Sequence, residues 1–133
     1  MKEKDLIPWV SILNTECFGT GDDYSSEEGI LRLLHLEDGE LLVHYDDEKP
    51  IGYYLVADRV GHIEGIRMGV TREFRRKGIG TILVQMALDS SKAHGKPFKT
   101  YTSKSNTESA NLHLKAGMRL EFIDDWIRLI WKP

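Results

Sequence analysis

At 133 residues, 41% hydrophobic and 29% charged, the chain has the size and composition of one domain, 1–133, with a core of its own. No apolar run approaches the roughly 20 residues that a membrane-spanning helix needs, and a net charge of −3 makes nucleic acid a poor general partner. The single Cys17 excludes an internal disulfide, and the opening Met-Lys-Glu-Lys-Asp lacks the apolar stretch of a signal peptide, so a cytoplasmic protein is the expectation.

In chain order, Asp5 is suited to cap a first helix in which Leu6, Val10, Leu13 and Cys17 share one stripe. Pro8 is then in the first turn, where it is tolerated, and Gly19 and Gly21 end the helix. Ser25-x-x-Glu28 has the spacing of a capping box and opens a second helix, burying Ile30, Leu31, Leu33 and Leu34. Glu40–Tyr45 and Ile51–Ala57 read as antiparallel strands joined by a hairpin turn over residues 46–50. Residues 58–62 turn the chain into a third strand, Ile63–Val70, where Gly65 and Gly69 invite a bulge or a close backbone approach.

A polar loop follows, then a helix with Ile79, Leu83, Met86, Ser90 and Ala93 along one face, stopped by Gly95 with Pro97 beyond. Phe98–Ser103 reads as a strand and Thr107–Ala116 as a helix ended by Gly117. Leu120–Ile123 and Trp126–Trp131 form a last hairpin turned at Asp124-Asp125, with Trp126 and Trp131 expected in the core or on a homodimer surface. This order predicts an α/β fold, a mixed sheet with helices on its faces.

The loop between the third strand and its helix concentrates the chemistry. Arg72, Arg75, Arg76 and Lys77 face only Glu73, and Gly78 and Gly80 stand at the helix start. The first-turn amides of a helix lack partners, so such a place suits an anion, and a phosphate above all. The nucleotide-triphosphate loop needs Gly-Lys-Ser/Thr, but Thr81 follows Gly80 directly; the dinucleotide fingerprint needs a third glycine where Leu83 stands. What remains, Arg75-x-x-Gly78-x-Gly80, resembles the pyrophosphate-binding signature of the GNAT superfamily of N-acetyltransferases.

A second run, Asn106-x-x-Ser109-x-x-Leu112-His113-x-x-x-Gly117-Met118, is similar to a run of the same family. There the asparagine touches the cofactor and a tyrosine lies near the thioester sulfur. The resemblance covers roughly Gly52 to the C-terminus; the family's usual first strand is short or absent. It implies the acyl-coenzyme A N-acyltransferase fold, a central mixed, mostly antiparallel sheet flanked by about four helices. It also implies transfer of an acetyl group from acetyl-CoA to a primary amine by direct attack in a ternary complex. Arg75, Arg76 and Lys77, with the amides of Gly78, Ile79, Gly80 and Thr81, would then hold the phosphates; Met68, Gly69 and Val70 would pair with the pantetheine arm, the amide near Met68 polarising the thioester carbonyl; Asn106 would touch the cofactor.

Here His113 replaces the family's tyrosine. Histidine can donate a proton to the departing thiolate, and it fits equally as a helix residue packed beside Ser109, Leu112 and Ala116. An amine with a pKa near ~10.4 must also lose a proton before it attacks. Glu64, 11 residues ahead of Arg75, matches the general-base glutamate of family members that use one, its pKa raised by apolar surroundings; facing solvent or an arginine such as Arg67 is the plain alternative. Asp22, Asp23, Glu27 and Glu28 would suit a cationic acceptor, a small molecule or a peptide amine, but serve as well in an acidic loop and a helix N-terminus. His35, His44, His62 and His94 show no metal-ligand spacing, and no metal is implied. A non-catalytic acyl-coenzyme A sensor is the second function class.

Overall fold

A computed structural model describes residues 3–133; Met1 and Lys2, part of the opening stretch read above for a signal peptide, lie outside the described residues. Helix α1 spans Glu3–Phe18, so Asp5 lies inside it rather than at its cap. Pro8 accordingly falls in the second turn and deprives the Lys4 carbonyl of its helical donor, a loss close enough to the helix end to interrupt little. Leu6, Ile7, Val10 and Leu13 are buried. Cys17 leaves the predicted stripe and is exposed, because the last turn of α1 runs past the core to a cleft.

A short 3-10 turn, Asp23–Ser25, leads to α2, Glu27–Leu36. Its cap is Ser26, whose Oγ accepts from the Gly29 amide at 3.1 Å, one residue later than the predicted box. Ser25 is occupied elsewhere, donating to the Gly19 carbonyl and accepting from Asn14. No glutamate fits in the box, since a Cβ on Gly29 would meet the Asp23 carbonyl oxygen at 1.9 Å. Ile30 and Leu33 are buried, while Leu31 is 41% exposed.

The remaining elements are β1 (Gly39–Asp46), β2 (Lys49–Asp58), β3 (Ile63–Val70), α3 (Ile79–His94), β4 (Phe98–Ser103), α4 (Thr107–Lys115), β5 (Arg119–Ile123) and β6 (Trp126–Trp131). They form one six-stranded sheet in the order β1-β2-β3-β4-β6-β5. Every neighbouring pair is antiparallel except β3 and β4. No strand precedes α1 among the described residues, and none of their helices is long and apolar enough to cross a membrane.

Strand β2 is buried on both faces, which explains its unbroken apolar run. Tyr53, Leu55 and Ala57 meet α1 and α2, whereas Tyr54 and Val56 meet the α3 side. On α3 the buried stripe is Ile79, Leu83, Val84, Ala87, Leu88 and Ser91. It is rotated from the predicted one; Met86 and Ser90 are half-buried and Ala93 is exposed, because the helix packs across β1, β2 and β3 rather than presenting one row to a single strand. Trp131 packs on this core, but Trp126, 53% exposed, does not belong to it.

Candidate active site

The site begins as a fault in the sheet. Leu55 pairs with Arg67 and Val56 with Gly65, so Ile66 is an extra residue, a bulge in β3. Such a bulge sharpens local twist and ends regular pairing. Strands β3 and β4 pair only over Ile63–Phe98, Glu64–Lys99 and Gly65–Thr100. Beyond, β3 continues to Val70 against β2 and β4 to Ser103 against β6. Between them opens a cleft of about 730 Å³, walled by Ile66–Val70 and Thr100–Ser103, by Asn106, Ser109, Leu112 and His113 of the α4 region, and by Glu16–Phe18 of α1. The β3 edge facing it carries backbone groups with no strand partner.

At one mouth lies the basic loop. The Thr71 amide donates to the Ile51 carbonyl, and Arg72–Phe74 form a 3-10 turn. Arg76 (φ 62°) and Gly78 (φ 82°) both take the left-handed conformation that brings the chain into α3. Gly78 precedes the helix with no side-chain cap, so the first-turn amides of Ile79, Gly80 and Thr81 have no helical acceptor. Gly80 serves packing: a Cβ there would lie 2.8 Å from Leu112 Cδ1 of α4. Only part of the predicted cationic grip is on display. Arg75 turns inward, its Nε donating to the Val70 carbonyl (2.9 Å) and its Nη2 reaching Cys17 Sγ (3.6 Å). Lys77 lies over the Phe74 ring, leaving exposed Arg76 free to meet an anion. Met68, Gly69, Val70, Arg75, Arg76, Gly78, Gly80 and Asn106 all line the cleft; Lys77, Ile79 and Thr81 do not, and Ile79 is buried in the core. The Asn106 side chain accepts from the Ser109 amide and caps α4.

Deep in the cleft, His113 is 2% exposed. Its Nδ1 lies 2.6 Å from the Ser109 carbonyl and its Nε2 2.8 Å from Tyr54 Oη. A carbonyl only accepts, so the neutral ring carries its proton on Nδ1, and Nε2 accepts from the tyrosine hydroxyl. Burial pushes the His113 pKa below its ordinary value, against the opposing Ser109 carbonyl. Burial likewise raises the Tyr54 phenol. Gly65 is what admits that phenol, since a Cβ there would stand 2.6 Å from Tyr54 Oη. His113 was expected from sequence, but Tyr54 was missed. The signal lay in Tyr53-Tyr54 on an apolar strand: adjacent tyrosines point to opposite faces, and each buried hydroxyl needs a partner. Tyr53 donates to buried Asn14 Oδ1 at 2.6 Å.

On the α1 side, Arg67 grips Asp22 through Nη2 (2.7 Å) and Nε (3.0 Å), its guanidinium over the Phe18 and Tyr24 rings. Burial works to raise the Asp22 carboxyl, but hydrogen bonds from Arg67 and Asn14 outweigh it and hold the pKa low. Of the four acidic residues named above, only Asp22 lines the cleft, and it is already neutralised; Glu27 and Glu28 occupy the first turn of α2. Glu64 also stands apart. Its carboxylate takes a hydrogen bond from Arg59 Nε at 2.9 Å, in a chain of ion pairs with Glu37, and does not line the cleft.

A six-stranded mixed sheet with two helices on each face, parted at its centre over an uncapped helix start, defines an acyl-coenzyme A N-acyltransferase. The profile of the Acetyltransferase (GNAT) family matches residues 6–118, and the chain belongs to that family. Among curated proteins no sequence matches. Similar solved structures include PaiA N-acetyltransferase from Thermoplasma acidophilum in complex with coenzyme A, with TM-score 0.76, 19% identity, and coverage of 98% of this chain and 92% of that one. The ribosomal-protein-S18-alanine N-acetyltransferase from Escherichia coli matches with TM-score 0.76 and 15% identity over 98% and 87% of the two chains. A GNAT family acetyltransferase from Elizabethkingia anophelis with acetyl-CoA bound gives 0.68 and 21% over 82% and 84%. At such identities these likenesses establish the fold. Acetyl-CoA is the co-substrate of the family, and the residues present fit it: uncapped amides beside Arg76 suit a diphosphate, and the unpaired β3 edge suits an amide-bearing arm.

Proposed function

We propose that the protein transfers an acetyl group from acetyl-CoA to a primary amine, of a small molecule or a peptide, by direct attack in a ternary complex. The observation that carries this is the parting of β3 and β4 after three residue pairs, which leaves an unpaired strand edge and the phosphate-suited start of α3 along one cleft; the amide near Met68 would polarise the thioester carbonyl. Arg76 and the amides of Gly78–Thr81 would hold the phosphates. Arg75 and Lys77 would join them by swinging from the Val70 carbonyl and the Phe74 ring. Asn106 would meet the cofactor from the α4 side. Glu64 is the weaker candidate for the base, since a cation holds its carboxylate outside the cleft wall. A cytoplasmic location is supported by the single, unpaired Cys17.

The second reading, a non-catalytic acyl-coenzyme A sensor, draws support from His113, whose only neutral-state proton is already committed to the Ser109 carbonyl. Release of free thiol from acetyl-CoA across a panel of polyamines, aminoglycosides, amino acids and peptides separates the two. Turnover with one acceptor is expected; binding of acetyl-CoA with no turnover on any amine would favour the sensor.

A further inference from the structure

We propose that Tyr54 and His113 form a proton shuttle that takes a proton from the attacking amine and returns it to the sulfur of the departing coenzyme A. This rests on the acetyltransferase reading above. Tyr54 would be the catalytic residue, touching the reacting atoms; His113 acts through it and is a positioning residue.

The location is set by the sheet. The Tyr54 hydroxyl lies against Gly65, the last β3 residue paired with β4, so it marks the vertex at which the cleft starts. That vertex is flanked on one side by the α1 wall and on the other by α3 and α4, so a thioester entering past α3 and an amine entering past α1 meet beside it. Other ionisable groups of the wall are poorly suited. Asp22 is held by Arg67 and Arg75 by Val70, and the cleft wall partly desolvates the otherwise exposed Cys17 thiol and raises it, opposed by Arg75. Glu16 and Glu108 are exposed at the rim. His113 alone is both deep and able to change charge near neutrality.

The hydrogen-bond directions give the sequence of steps. Tyr54 donates to Nε2, and its oxygen, which also lies by the Thr100 hydroxyl, keeps acceptor capacity for a proton arriving from the cleft. The amine nitrogen bonds to the thioester carbon, and the carbonyl electron pair moves to oxygen. The nitrogen then loses a proton to Tyr54 Oη as the phenol proton passes to Nε2, giving an imidazolium whose Nδ1–H stays on the Ser109 carbonyl. When the carbonyl reforms, the C–S bond breaks and its electron pair leaves on sulfur. The imidazolium proton returns through Tyr54 to that thiolate, and both side chains regain their starting state. The return is downhill, because a thiol near ~8.5 is a weaker acid than the imidazolium. Tyr54 is the titratable side chain in contact with His113; burial is the main influence on the ring, the Ser109 carbonyl opposes it, and no charged side chain among the described residues contributes.

The test uses the full chain with acetyl-CoA and the amine that releases thiol fastest. Tyr54→Phe keeps the ring edge-on to Phe98 and removes only the hydroxyl. Affinity for acetyl-CoA by calorimetry should stay within about twofold, while kcat falls by roughly 100-fold, the scale of one acid–base partner. An acid limb of the wild-type rate is expected below the ordinary histidine value of about 6.5, because burial lowers His113, and it should flatten in the variant. His113→Gln, which cannot titrate, should flatten the same limb, and the double variant should be no slower than the slower single one, because the pair acts as a unit. If Tyr54→Phe does not fold, His113→Gln carries the comparison. Without any turnover, nitrogen NMR of the free chain should give the Nδ1-protonated tautomer for His113. An Nε2-protonated tautomer, or a wild-type rate and acid limb in either variant, would overturn the shuttle and leave acetyl transfer standing. No thiol release from the wild type with any amine would overturn both.

Discussion

Strand β3 has two edges with different fates. Toward β2 it is paired from Ile63 to Val70, with one residue extruded at Ile66; toward β4 the pairing stops at Gly65. The first edge builds a seam of buried side chains, and the second leaves a slot whose wall is main chain. A sheet that paired fully on both edges would gain hydrogen bonds and lose the site. On the open side, the Arg67–Asp22 pair ties β3 to the segment between α1 and α2, so the strand is anchored where no neighbouring strand holds it.

The contrast can be broken most severely at Gly65. A side chain there collides with Tyr54 Oη at 2.6 Å, Phe98 Cζ at 2.7 Å and Thr100 Oγ1 at 2.9 Å, all in buried side chains that cannot swing away. Gly65→Val should cost about 2 kcal/mol in denaturant unfolding and abolish thiol release, by forcing Tyr54 from the vertex. Arg76→Glu acts at the mouth alone. It should leave the melting temperature unchanged and weaken acetyl-CoA by roughly tenfold at low salt, with the loss shrinking as salt is added. A salt-independent loss by calorimetry would point to a packing defect instead.

The tie on the open side predicts a pH effect. Asp22 has its folded pKa held below the unfolded value of about 3.9, so its contribution is complete above that value and is lost as pH falls through the folded one. Melting temperature followed downward from pH 5 should therefore fall more steeply in the wild type than in Asp22→Asn. The smallest effect is expected at the paired end of β3: Glu64→Gln should change kcat by less than about threefold, because Arg59 and not the cleft receives its carboxylate. A larger loss would return Glu64 to the chemistry.

Local patterns carried much of this architecture. The alternation of strands and helices, the ends of α3 at Gly78 and Gly95, and the strand-loop-helix around Arg75-x-x-Gly78-x-Gly80 follow from periods and backbone preferences that span a few residues. Errors arose where a distant contact competed with a local rule. Ser25 lost the α2 cap to Ser26 because Gly19 and Asn14 engage it, and Cys17 left its stripe because α1 outruns the core.

By itself, then, the sequence determined the element order, the family and the place of the phosphate-suited loop, all encoded in neighbours along the chain. Only the tertiary structure decided which polar groups face each other: Arg67 with Asp22 across 45 residues, Glu64 with Arg59, and Tyr54 with His113 across 59. Those partnerships depend on strand order and on one bulge in β3. A charge or hydroxyl has no period along the chain that names its partner, so folding alone selects it.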